Sequence, residues 1–67
     1  MILKLRQERE RRGWSLVDLT VKTGISSSDL SLIERGCKPA YPGWQRRIAK
    51  AFKMSAEDLF QEVDDES

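Results

Sequence analysis

Apolar positions along the chain fall into short groups at helical spacing, divided by glycine and proline. Residues 3–12, LKLRQERERR, hold no glycine or β-branched side chain and predict a first helix, with Leu3 and Leu5 apolar and Ile2 just before them. Gly13 stops that helix, and Trp14 follows as a core anchor. A second helix is expected from Leu16 to Thr23, with Leu19, Thr20 and Thr23 turned inward. A third, over about 27–35, buries Leu30 and Ile33 and ends at Gly36. Prolines 39 and 42 bar a helix from running through the next connection, and Pro42 suits the first position of a fourth, PGWQRRIAKAFK. Its Trp44, Ile48, Ala51 and Phe52 make one apolar stripe. A fifth helix, SAEDLFQEV, closes the core with Met54, Leu59 and Phe60. The expectation is an all-α domain over residues 1–63, followed by an acidic disordered tail, 64–67.

The starts of these helices share a device. Ser15 precedes Asp18 by three residues, Ser26 precedes Asp29, and Ser55 precedes Asp58. Each pair offers a hydroxyl to an exposed N–H and a carboxylate to the positive helix end. Gly24, between the second and third helices, sits where a left-handed turn is needed. Two short helices joined in this way form a helix-turn-helix. Taking 100° per residue, Leu30 and Ile33 lie on one side of the third helix. Ser27, Ser28, Ser31, Leu32 and Arg35 share the other. That outer face suits either a solvated, self-capping surface or a surface entering a DNA major groove, where serine accepts several base edges and leucine meets a thymine methyl. Arg35 and Lys38 stand ready for phosphates, and Asp29 reads as a cap. Arg9, four residues after Leu5, belongs on the inner side; it pairs with Glu34, pairs with a neighbouring glutamate, or snorkels to solvent.

Composition narrows the function. The 67 residues include one cysteine, Cys37, and no histidine. No internal disulfide, metal centre or cofactor is therefore expected, and Cys37 reads as an incidental, buried or half-buried thiol. An enzyme is disfavoured, because no nucleophile–base pair or phosphate-cradling loop is visible and so small a core has little room for a substrate pocket. No apolar run approaches the ~20 residues that span a bilayer, so no membrane contact and a cytoplasmic location are expected. The net charge of +1 hides a strong asymmetry: residues 1–56 carry all 12 lysines and arginines against five acids, and the last eleven carry six acids and no base. A basic body with an acidic end points to a polyanionic partner.

Together these residues resemble the Cro/phage-repressor type of helix-turn-helix domain, the xenobiotic-response-element family of prokaryotic transcriptional regulators. The likeness rests on L-R-x-x-R at 5–9, Gly13, S-x-x-D-L at 15–19, Gly24-Ile25-Ser26, Leu30, I-E-R-G at 33–36, and R-I-A-K-A-F with S-x-E-D-L-F across 47–60. It implies a compact five-helix, lambda-repressor-like fold and an ion pair between Arg9 and Glu34. It implies a DNA-binding regulator, a repressor by the commonest use, acting on double-stranded DNA as a homodimer with no small-molecule substrate. By position it assigns base contacts to Ser27, Ser28 and Leu32, joined by Ser31 from the helical angle. Phosphate contacts fall to Ser15, Arg35 and Lys38, and dimer contacts to Leu59–Val63. Small side chains at the reading positions make the readout permissive. The competing expectation is a protein-interaction module on the same fold, docking through Leu16, Val17, Val21 and Leu32.

Overall fold

The computed structural model describes residues 2–64. Five helices follow one another: α1 (Lys4–Arg11), α2 (Leu16–Thr23), α3 (Ser27–Glu34), α4 (Pro42–Phe52) and α5 (Ala56–Leu59). They surround a core of Leu5, Leu19, Ile25, Leu30, Ile33, Ile48, Phe52 and Leu59. Trp14, Trp44, Met54 and Phe60 pack on its margin, half-buried. The Trp14 and Phe52 rings meet tilted at 44°, their centroids 5.0 Å apart. Arg12 and Lys22 sit on the Trp14 ring, 5.5 and 4.6 Å from its centroid, so the indole joins core and surface.

The expected helix ends hold at α2 and α3 and fail at the two chain ends. Ile2–Leu3 is a strand, β1, and Glu62–Val63 a second, β2; they pair antiparallel, Ile2 with Val63 and Leu3 with Glu62. Helix α1 therefore begins at Lys4, whose N–H donates to Gln61 O at 2.8 Å. The fifth helix is one turn and does not extend to Val63. The physical reason is polar satisfaction: Ile2 and Leu3 are buried, and their backbone groups and the first N–H groups of α1 need partners that an extended 61–63 supplies. Leu59, expected at a dimer contact, is fully buried in its own core. Of the expected acidic tail, Asp64 follows β2 and residues 65–67 lie outside the described part.

Three helix ends close in the same way, the first after α1, where Gly13 takes φ +72°, its N–H donates to Glu10 O and the Trp14 N–H to Arg9 O. After α3, Gly36 takes φ +74°, its N–H donates to Ile33 O and the Cys37 N–H returns to Leu32 O. After α4 the left-handed position falls on Lys53, φ +56°, with the same pair of returning bonds. A side chain with Cβ is strained there, at a cost of roughly 1–2 kcal/mol. No helix among the described residues is long and apolar enough to cross a membrane.

Candidate nucleic-acid interface

The geometry of the helix-turn-helix follows from its caps. Ser15 Oγ accepts the Asp18 N–H at 3.0 Å, and Asp18 Oδ2 accepts the Ser15 N–H at 2.8 Å, a closed capping box at the start of α2. These bonds, the backbone one first, hold the Asp18 carboxyl below its ordinary range. Gly24 ends α2 at φ +75°, with its N–H on Thr20 O. Thr23 is buried; its hydroxyl donates to Leu19 O at 2.7 Å and accepts the Ile25 N–H at 3.3 Å. Across the crossing, the hydroxyls of Thr20 and Ser27 lie 2.9 Å apart. The Thr20–Ser27 contact thus ties α2 to the start of α3, and Thr23 ties the end of α2 to the turn.

At α3 the cap has a different outcome. Ser26 Oγ accepts the Asp29 N–H at 3.2 Å, but the Asp29 carboxylate accepts from Lys38 Nζ at 2.7 Å. That bond is the main cause that lowers the Asp29 pKa and raises that of Lys38. The Lys38 ammonium also stands 5.5 Å over the Trp44 ring, which meets Tyr41 edge-on at 4.9 Å. The connection between α3 and α4 is strapped to both helices by one lysine.

The nine site residues separate accordingly. Arg9 and Glu34 form a two-pronged pair, Nε to Oε2 at 2.7 Å and Nη2 to Oε1 at 3.1 Å, and Arg9 Nη1 also donates to Trp14 O at 2.8 Å. With side chains 12% and 3% exposed, the pair sits inside the fold and joins α1 to the end of α3. The hydrogen bond that Arg9 donates to Glu34 is the first cause that raises the Arg9 pKa further. Ser27 is half-buried and spent on Thr20. Ser28 is exposed, Ser31 and Leu32 are half-buried, and Arg35 is exposed. The Arg35 Nε lies 3.4 Å from Ser31 O, and its guanidinium has no carboxylate within 4 Å among the described residues. Ser15 is exposed, and its hydroxyl proton remains available beyond the cap. Lys38 alone of the three expected phosphate contacts is already paired.

Two features escape sequence reading. Glu8 is buried and holds Arg12 at 2.6 Å and Arg11 at 3.3 Å, while Arg12 Nη2 reaches Phe52 O at 3.2 Å. In LKLRQERERR helical spacing singles out Arg9 alone among the charges, and only the reach of Arg12 to the Phe52 carbonyl at the end of α4 marks the others. Cys37, expected buried or half-buried, is exposed. Helix α3 ends at Glu34 and the Gly36 turn carries the chain outward, so no element covers the thiol. The four apolar residues of the docking alternative also divide: Val17 and Val21 are 65% and 80% exposed, whereas Leu32 is half-buried and Leu16 packs against the core.

A helix-turn-helix domain family model matches residues 3–62. Uncharacterized HTH-type transcriptional regulators of Mycobacterium bovis and of two strains of Mycobacterium tuberculosis are 39% identical over 44 residues, which is 66% of this chain. The matched segment is 17% of those relatives' length, so the likeness concerns one part of longer proteins. No solved structure gives a significant match. With the family model spanning nearly every described residue and the two crossed, capped helices in place, the chain belongs to the helix-turn-helix domain family.

Proposed function

We propose that this chain is a non-enzymatic DNA-binding domain of a cytoplasmic transcriptional regulator, with α3 laid in the major groove. The observation that carries the reading is the outer face of α3. It presents Ser28, Ser31, Leu32 and an Arg35 without a carboxylate partner among the described residues, on a helix tied to α2 and the turn through Thr20, Thr23 and Ser27. An α-helix with its side chains is about 10–12 Å across, which matches the width of the groove. The Ser15 hydroxyl and Arg35 anchor phosphates, and Lys38 joins them once released from Asp29. Serine donors and a leucine then give permissive base readout, so affinity is mostly electrostatic.

Homodimeric binding is part of the proposal. Half-sites read by such domains lie about 34 Å apart, and the longest extent of one copy is 27 Å. One copy therefore reads one half-site. A repressor role follows if the occupied site overlaps a promoter. The exposure of Val17 and Val21 favours a second reading, a protein-docking module, but two valines are a narrow surface for it.

Selection of bound sequences from a random duplex pool tests the reading. The expected result is enrichment of paired half-sites about one helical turn apart. A pool that stays random contradicts sequence reading by α3, and half-sites enriched singly contradict the dimer.

A further inference from the structure

The two capping pairs of the helix-turn-helix have the same sequence spacing and different structures. Asp18 closes on the backbone of its own cap, while Asp29 turns away from Ser26 N–H and binds a cation of the candidate interface. Ser26 already supplies the capping hydroxyl to α3, so the Asp29 carboxylate is not needed there. Lys38 does not need it for placement either. The Gly36 turn sets the direction of the chain, and the Trp44 ring, braced by Tyr41, supports the ammonium from the other side. What Asp29 adds is electrostatic. It occupies a lysine whose other use, on the reading proposed above, is to neutralise a DNA phosphate.

We propose that Asp29 is an internal competitor for the phosphate backbone, holding the Lys38 ammonium until DNA replaces it. The inference rests on the DNA-binding reading and assigns a role within it. Carboxylate and phosphate oxygens offer the ammonium the same charge-assisted bond, so the exchange conserves its hydrogen bonding. The side chains of Lys38 and Asp29 are 31% and 29% exposed, which leaves the pair reachable by a phosphate. Every duplex that takes up Lys38 must displace Asp29, so the competition lowers affinity for selected and arbitrary DNA alike.

The test is a double-mutant cycle on the full chain: wild type, Asp29→Asn, Lys38→Ala and the double variant, titrated with a random-sequence duplex at one fixed salt concentration. Thermal melting verifies the fold of each protein, with Asp29→Ser as the second variant should asparagine disturb α3. Asp29→Asn is expected to tighten binding by roughly two- to five-fold, the range an exposed ion pair implies. Lys38→Ala is expected to weaken the Asp29→Asn protein more than the wild type, by the same factor. Equal losses in the two backgrounds overturn the competition, as does weaker binding by Asp29→Asn, which makes Asp29 a support for Lys38. A wild type that binds no duplex at all overturns the DNA-binding reading itself, and the competition with it.

Discussion

At the scale of single residues, polar side chains divide between those that hold the helix-turn-helix and those left to meet a ligand. Arg9 and Glu34 belong to the first group. Glu34 is 2% exposed, and its two carboxylate oxygens are matched by the guanidinium fork of Arg9. Such a pair contributes little over apolar side chains of the same volume, but breaking it strands a buried charge. Either single change, Arg9→Ala or Glu34→Ala, is expected to cost about 3–5 kcal/mol in chemical denaturation, a large share of the stability of a small domain. Replacing both by apolar residues of similar size is expected to cost less than either single change. A Glu34→Ala protein within 1 kcal/mol of wild type goes against a buried, coupled pair. Thr20 and Ser27 show how one hydrogen bond transfers a residue between groups: Ser27 lies on the outer angular sector of α3, yet its hydroxyl is committed to the helix crossing.

At the scale of elements, the caps decide where helices start, and pH tests them. Asp18 is ordinarily titrated near 3.8, and the bonds from Ser15 lower its pKa in the folded state. A depressed folded pKa stabilises the fold above the ordinary aspartate value, and that contribution is lost as pH falls through the folded one. Asp29, lowered chiefly by Lys38, acts with the same sign. Ser15→Ala is expected to destabilise the protein by about 1 kcal/mol at neutral pH. Asp18→Asn should flatten the decline in melting temperature below pH 4, a range set by the 3.8 starting value. An unchanged acid profile in Asp18→Asn contradicts the closed box.

The same elements show what was legible in the chain. The limits of α2 and α3 follow from Ser15, Gly24, Ser26 and Gly36, because caps and left-handed turns are local chemistry. The partnership of Arg9 with Glu34 was reachable, though only among alternatives, since helical spacing placed an arginine where water is excluded. Three features were not reachable. Pairing of Ile2–Leu3 with Glu62–Val63 joins two dipeptides some sixty residues apart, and neither is long enough to show a strand period. Burial of Glu8 comes with Arg12, which bonds both Glu8 and the Phe52 carbonyl forty residues on. The choice of Asp29 between its own cap and Lys38 depends on where the Gly36 turn sends the chain. Each turns on a contact made outside the residue's own element, which local propensity does not encode.

For the whole molecule, charge distribution carries the functional argument. Five cations, Arg6, Arg9, Arg11, Arg12 and Lys38, are engaged by carboxylates. Arg35, Arg46, Arg47, Lys50 and Lys53 are exposed and have no such partner among the described residues. The paired cations are neutralised within the fold; the others maintain a positive field of the kind that attracts a polyanion. On the proposed reading, an interface built on that field, with short side chains on the outer face of α3, would obtain most of its affinity from displaced counterions. The most direct measurement is the affinity of the full chain for duplex DNA across a series of salt concentrations, for wild type and Arg35→Ala. Phosphate neutralisation by this field predicts a linear fall of log K with log salt, a slope shallower by about 1 in Arg35→Ala, and a similar loss on every sequence. Binding to neither selected nor random duplex at low salt, or a slope that Arg35→Ala leaves unchanged, contradicts it.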